Sequence, residues 1–553
     1  MRPAPLRSTV NSDPRSLRVD FPISQEKSRH AEAGRDTRDR DVFGILLVLY
    51  SLILYPILRA DRYYNDDLKR ALVGRAGWDS NGRPLTTLVM RMLQFYDHAM
   101  VDISPLPQIG AVAILAWVGV LMARRYSIGS SWTAALVAFP LGAQPFYLEN
   151  LSYKFDALSM SLAMLLAVLP MLQLNDGRRA WWLGVLALWG SLCFYQPAIN
   201  AYLMFVLVEW VSLQLQRAEP FQLAKQFMGR FMQVGAAMLL YYLLVGIHVS
   251  GWVKHASERI HGWHELPLLL TNFVDFYGYI GASFNGHWWM YFGPLLTVLA
   301  LFPVVVGIRH ALTLRTAQPA PVTVLLCLAA LLIPLAALIA ALGPMLLLHK
   351  PEIGPRVLIG LGALLAGALV VMQAALRQWH ASRRWAVAAA CMLSLGMCIL
   401  ASAYGNAATA QKDYEGRIAG RLADDLAELK VSRGVHAFLL DGTAGYSPVT
   451  AHVIEQLPLI RDLVPQYLTS DHSFQSPDFL AFYISGVTNL QAHDDVAAQS
   501  LLSSLQARAC LIPADIITTH YRLYVIGDTA VVRLLAPGES PECVDGKGAE
   551  EKQ

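Results

Sequence analysis

Charge is what this sequence has least of. Only 15% of its 553 residues are Asp, Glu, Lys or Arg, against about 25% in soluble domains, so a chain built only of soluble domains is excluded. The net charge of +3 gives none of the broad basic field that a nucleic-acid partner requires. Cysteine is scarce too. Cys193, Cys327, Cys391 and Cys398 fall in apolar runs and read as small buried hydrophobes. Cys510 and Cys543 lie in the polar C-terminal part, where a disulfide and two free thiols both remain open. No glycine-rich nucleotide loop stands in a strand–turn–helix context. No small-residue cleavage site follows the basic N-terminus, so residues 1–41, with nine Lys or Arg, are expected to be a disordered cytoplasmic arm.

What the sequence has instead is long apolar runs, of which 55% hydrophobic residues is the overall measure. Runs of roughly 17–25 such residues can cross a bilayer core of about 30 Å. Eleven spans are expected near 42–58, 106–123, 128–146, 156–174, 181–196, 199–215, 231–249, 291–308, 321–346, 355–376 and 385–404. The run 321–346 contains Pro334 and Pro344, which predicts a kink or an interfacial end. Arg124 and Arg125, Arg178 and Arg179, the group Arg217, Lys225 and Arg230, Arg309 and Arg315, and the group Arg377, Arg383 and Arg384 occupy alternate turns. The positive-inside rule puts those turns on the cytoplasmic side with the N-terminus. The first outer segment, 59–105, breaks the rule with seven Lys or Arg, so it is expected to be folded, with its cations paired.

Within that segment Leu68, Ala71, Leu72 and Arg75, then Leu85, Leu88, Val89, Met92 and Leu93, keep helical spacing. Two short amphipathic helices on the membrane surface satisfy it, with Gly77–Pro84 as their turn. Residues 250–290 predict a further interfacial segment rich in aromatics. There His261, His264 and Glu265 have ligand-like spacing, although interfacial histidines are the commoner meaning of that pattern. After about 405 the composition becomes that of a small α/β domain of roughly 140 residues, large enough to bury a core. It includes a strand over Val435–Asp441 and a hairpin over Tyr521–Leu534 turning at Gly527–Asp528. The expected division is thus 1–41 arm, 42–404 membrane domain and 405–553 outer, periplasmic domain.

The chemistry concentrates at Tyr63-Tyr64-Asn65-Asp66-Asp67-Leu68-Lys69-Arg70. Charges at a membrane edge must stay hydrated, pair, or do a job. Two adjacent carboxylates push one pKa upward, which suits a general base at neutral pH. The competing reading is a helix cap by Asn65 or Asp66. Because those two are better placed to cap, Asp67 is favoured over Asp66 as the base. Lys69, Arg70, Arg83, Lys154, Lys350 and Arg356 are outer-face cations able to meet a phosphate, or to anchor at the interface.

Asn65-Asp66-Asp67-Leu68-x-Arg70, Gly77-Trp78, Gly82-Arg83-Pro84-Leu85, Pro145-Phe146-x-Leu148-Glu149-Asn150-Leu151-Ser152-Tyr153-x-Phe155-Asp156 and Tyr195-Gln196-Pro197 together resemble the phage-type, serotype-converting O-antigen glucosyltransferases of bacteria. The resemblance is dense over about 60–200 and loose beyond. It implies a mainly α, polytopic GT-C-type enzyme of the bacterial inner membrane. Such an enzyme takes glucose from undecaprenyl-phosphate glucose and adds it to O-antigen or lipopolysaccharide on the periplasmic side. It implies an acid of the first outer loop as catalytic base, which here is Asp67 or Asp66. Arg70, Arg83, Lys154, Arg356, Asn65, Glu149, Asn150, Asp156, Tyr195 and Gln196 are then expected around the donor's phosphate and sugar, with help from a divalent metal left open. A flippase for lipid-linked sugars is the alternative from another class. It would explain spans and cations but places ionisable groups mid-span, where this chain has almost none.

Overall fold

The computed structural model describes residues 22–95, 99–172, 177–250, 254, 258–470, 475–490, 503–506, 508 and 511–538, with side chains from 37 onward. Cys510, Cys543 and residues 1–21 lie outside them. The chain is mainly helical, with one small sheet near its C-terminal end.

The first helix, Pro22–Ala60, is 39 residues long. Residues 22–41, expected as part of a structureless arm, are its first half. Extending a helix already nucleated by an apolar run adds one hydrogen bond for each residue fixed. The charges of this half also find partners: Arg124 Nε donates to Asp39 at 2.7 Å, and Arg38 to the carbonyl of Ile128.

Among the described residues eight helices are long and apolar enough to cross a membrane, rather than the eleven expected. They are Thr37–Ala60, Leu106–Tyr126, Gln196–Leu215, Pro220–His248, Gly286–Leu314, Ala320–Leu347, Gly360–Gln378 and the start of Arg384–Arg433. The other three apolar runs form shorter helices. The run 128–146 is split at Pro140 into Ser131–Ala138 and Pro140–Ala143, because proline removes a helix hydrogen bond. Ala157–Leu172 and Arg178–Phe194 have 16 and 17 residues, about 24–26 Å at 1.5 Å per residue. Ala157–Leu172 is largely buried against its neighbours, whereas Arg178–Phe194 keeps Trp182, Leu183 and Leu186 exposed. The kink foreseen in 321–346 is a break: the helix Ala320–Leu342 ends at Gly343, and a 3₁₀ turn, Gly343–Leu347, follows.

The cationic turns meet at one end of the bundle. Arg125 donates to the carbonyl of Met171 at 3.2 Å and lies 3.6 Å from Glu209, which Arg230 holds through two bonds of 2.9 and 3.0 Å. Arg377 donates to the carbonyl of Ser127, and Arg309 lies over the ring of Trp379. The opposite end carries the first-loop helices Asp66–Val73 and Pro84–Gln94, both foreseen, and the C-terminal domain.

That domain grows directly out of the bundle, because the helix Arg384–Arg433 runs unbroken for 50 residues across the expected boundary at 404. Its outer half buries Ile418, Leu422 and Leu426 against a five-stranded sheet. The strands are β1 (Ala437–Asp441), β2 (Thr488–Asn489), β3 (Ile516–Ile517), β4 (Tyr521–Ile526) and β5 (Thr529–Leu534), in the order β2-β1-β5-β4-β3. β4 and β5 form the expected antiparallel hairpin, while β1 pairs parallel with β5 and β2.

The two ends of the bundle are expected on opposite faces of a membrane. In a cysteine-free background Arg178→Cys and Val431→Cys, both at exposed positions, should differ in reaction with an impermeant thiol reagent on intact cells. Val431→Cys should label and Arg178→Cys only after lysis; equal labelling of both would place the ends on one face.

Candidate functional site

The first-loop helix Asp66–Val73 begins from a tight turn. Asn65, its N-cap, has φ 46° and ψ −108° and makes no side-chain cap bond. The cap reading therefore fails, and with it the reason for preferring Asp67 as the base. At the other end Gly74 closes the helix with φ 64°, and its N–H bonds the carbonyl of Arg70. A Cβ at Gly74 would stand 2.7 Å from the amide nitrogen of Met100, so both the turn and its neighbour demand glycine.

Successive helical residues point in different directions, and the two aspartates part company. Asp67 is 0% exposed. Its Oδ2 accepts the Lys154 backbone N–H at 2.7 Å, while Oδ1 is buried with no hydrogen-bond partner. Asp66 keeps 41% of its side chain exposed and lies 3.7 Å from Arg70. Arg70 is buried over the ring of Trp78 at 4.5 Å, with Asp156 at 3.2 Å and Asp67 at 3.9 Å. Trp78 donates its indole N–H to Asp156 at 2.7 Å, and Arg83 approaches Asp156 at 3.8 Å while stacking on Tyr195.

Burial dominates the proton equilibrium of Asp67. Taking the charged form out of water raises its pKa to about 8, Asp156 and Asp66 push the same way, and Arg70 only partly opposes them. Charge counting agrees. Two guanidiniums, Arg70 and Arg83, face three carboxylates, Asp66, Asp67 and Asp156, one more than they can balance.

A second cluster adjoins the first through Tyr153. Arg356 donates its backbone N–H to Glu149 at 2.7 Å and a guanidinium N–H to the Tyr153 hydroxyl at 2.7 Å, and it pairs with Glu352. Asn150 and Tyr195 donate to the Arg356 carbonyl at 3.2 and 3.1 Å. Burial raises Glu149 to about 7 against the pull of Arg356. Tyr153 is followed by Lys154, whose N–H holds Asp67, so the two clusters share the 153–156 segment. Below this cluster an apolar cavity of about 500 Å³ opens between the helices, lined by Phe146, Tyr277, Phe284, Trp288, Phe292 and Leu365 among others. Phe146 stands three residues before Glu149.

Not every residue expected here is free to bind. The Lys154 ammonium is engaged by Asp61 at 2.5 Å and Asp102 at 3.4 Å, over the ring of Tyr63. Gln196 is spent on the carbonyls of Asn81 and Gly82 and on Tyr241, so it braces the 77–84 turn. Trp78 enters the sequence reading only as part of a motif, although its burial and its two contacts make it the floor of the first cluster. The Glu265 carboxylate accepts the backbone N–H of His261 at 2.6 Å, and no group of three or more His, Cys, Asp or Glu among the described residues is placed to hold a metal ion.

The buried proton on Asp67 has a measurable consequence. Between about pH 4, the ordinary carboxylate value, and about 8 the folded chain holds a proton that the unfolded chain has lost. Stability therefore falls as pH rises through that window, by at most about 1.4 kcal/mol per unit. Asp67→Asn carries no such proton, so its Tm relative to wild type should rise steadily from pH 5 to pH 8. A pH-independent difference would mean that Asp67 is ionised in the fold.

Comparison with known proteins adds to this geometry. The chain is 25% identical over 446 residues to an uncharacterised 55.3 kDa protein of Salmonella phage P22 encoded in the gtrB 5′ region, covering 79% of this chain and 89% of that protein. No solved structure matches. The sequence model of the glucosyl transferase GtrII family matches residues 55–366, which takes in both polar clusters and much of the cavity lining, and the chain belongs to that glucosyltransferase family.

Proposed function

We propose that this glucosyltransferase moves glucose from undecaprenyl-phosphate glucose to O-antigen or lipopolysaccharide at the periplasmic face of a bacterial inner membrane. In this reading the cationic turns and N-terminus are cytoplasmic, the C-terminal domain is periplasmic, and the architecture is of the GT-C type. The observation that carries it is the adjacency of two clusters, one with the half-exposed carboxylate Asp66 and one with the Arg356 guanidinium, joined through the 153–156 segment beside an apolar cavity. A donor with a polyprenyl tail, a phosphate and a sugar needs those three environments in that order.

Asp66 is the base in this scheme, because Asp67 is fully buried and its proton is held at neutral pH. As the acceptor hydroxyl oxygen bonds to the anomeric carbon, its proton passes to Asp66. The bond from that carbon to the phosphate oxygen breaks, and the electron pair leaves with undecaprenyl phosphate. Arg356 meets the charge that grows on that phosphate, exchanging its pairing with Glu352 for the ligand. Arg70 and Arg83 hold the Asp66 and Asp156 carboxylates in place, and Asn150 and Tyr195 fix the backbone of Arg356.

Membranes containing the protein and undecaprenyl-phosphate glucose should yield glucosylated lipopolysaccharide, whereas nucleotide-linked glucose alone should yield none. Transfer from the nucleotide sugar without the lipid carrier would refute the donor assignment. Arg356→Ala should raise the KM for the lipid donor about 10–100-fold, the scale of a lost charge-assisted bond. Arg356→Lys should raise it less, since lysine restores a point charge without the fork. Wild-type behaviour in both variants would reduce Arg356 to an anchor.

A further inference from the structure

Beyond the residues shared with the family model, which end at 366, the C-terminal domain reaches back to the first loop. We propose that this domain is a working part of the transfer site, with Tyr467 as the positioning residue that sets the direction in which Asp66 leaves the backbone. The inference rests on the reading of Asp66 as the base.

The Tyr467 side chain is 1% exposed. Its hydroxyl donates to the carbonyl of Tyr63 at 2.9 Å and accepts the N–H of Asn65 at 3.0 Å, so one oxygen ties the backbone on both sides of Tyr64. Asn65 needs such a tie. Its φ of 46° and ψ of −108° belong to a region that glycine enters freely. Another residue there costs on the order of 1–3 kcal/mol and persists only where its surroundings determine it. Its own side chain supplies no cap to the helix, so the tyrosine takes over the role of orienting the first turn.

Tyr467 is itself held from two sides. Its N–H donates to Glu415 Oε1 at 2.7 Å, and the Arg62 guanidinium lies 4.4 Å over its ring. Arg62 in turn donates to Glu415 Oε2 at 2.7 Å and to the carbonyl of Pro465 at 2.5 Å. Glu415 stands on the helix Arg384–Arg433, which is rooted in the bundle. Two further contacts complete the clamp: the Tyr64 hydroxyl donates to the Asp462 carbonyl at 3.2 Å, and Tyr63 stacks on Phe482. Bundle, domain and first loop are thereby locked in one frame, with Asp66 the next residue along the chain.

A general base displaced by about 1 Å can cost on the order of 100-fold in rate. Tyr467→Phe removes the oxygen and keeps the ring. Tyr414→Phe is the control, since its hydroxyl bonds the carbonyl of Ala444 inside the domain and does not touch the loop. In the full-length protein in lipid nanodiscs, Tyr467→Phe should lower kcat about tenfold or more while KM for undecaprenyl-phosphate glucose stays within about twofold. The Asn65 amide should exchange hydrogen faster, and Tm should match that of Tyr414→Phe. The control should keep wild-type kcat and exchange. Full kcat in Tyr467→Phe, an equal loss of kcat in both variants, or an unchanged Asn65 amide would each overturn the proposal. The exchange measurement needs no substrate, so it still tests the clamp if wild type fails to use this donor, a result that would sink the donor reading alone.

Discussion

A guanidinium buried at the edge of a helix bundle sets the terms for everything around it. Arg70 cannot be left unpaired, because an isolated charge out of water costs far more than a helix of eight residues can return. The chain meets the demand by bringing three separated segments together: the first-loop helix with Asp66 and Asp67, the 77–84 turn with Trp78, and the 153–156 segment with Asp156 and the Lys154 amide. Three carboxylates around one cation overshoot neutrality. Arg83 offsets part of the excess, and the proton on Asp67 removes the rest.

The neighbouring cluster repeats the arrangement. Arg356 faces a buried Glu149, raised to about 7, and an accessible Glu352. In each cluster the deep carboxylate leans toward its neutral form and the shallow one stays in contact with water. Such a division suits a site that must present one base and one phosphate-binding cation while keeping little net charge beside an apolar cavity. The C-terminal domain belongs to the same frame, since Arg62, Glu415 and Tyr467 connect it to the backbone immediately before Asp66.

Much of this was legible in the residues themselves. Periodicity located both surface helices of the first loop, and Gly527-Asp528 located the hairpin, since each signal is local. Alternating arginines predicted which turns would meet at one end. Local rules failed where tertiary contacts decide. An apolar run cannot announce that Pro140 will split it, or that the helix in 156–174 will extend only over Ala157–Leu172 among the described residues. Nor can Asn65 reveal that its N–H is held by a tyrosine hydroxyl 402 positions away. Asp66 and Asp67 look equivalent as letters, and it takes tertiary packing, with Leu68 in the C-terminal core and the Lys154 N–H on Asp67, to bury one and leave the other exposed. Nothing in the sequence around Lys154 shows that Asp61 and Asp102 pair with its ammonium.

The account stands most directly on which aspartate takes the proton. Transfer rates of purified, reconstituted Asp66→Asn and Asp67→Asn, measured at saturating undecaprenyl-phosphate glucose, decide it. An amide keeps the size of the side chain but cannot accept the proton, and loss of a general base typically costs about 10²–10⁴-fold. The account predicts that loss for Asp66→Asn with an unchanged Tm, and a loss below about tenfold for Asp67→Asn, whose carboxyl is already neutral. Near-complete loss in Asp67→Asn alongside an active Asp66→Asn would contradict it.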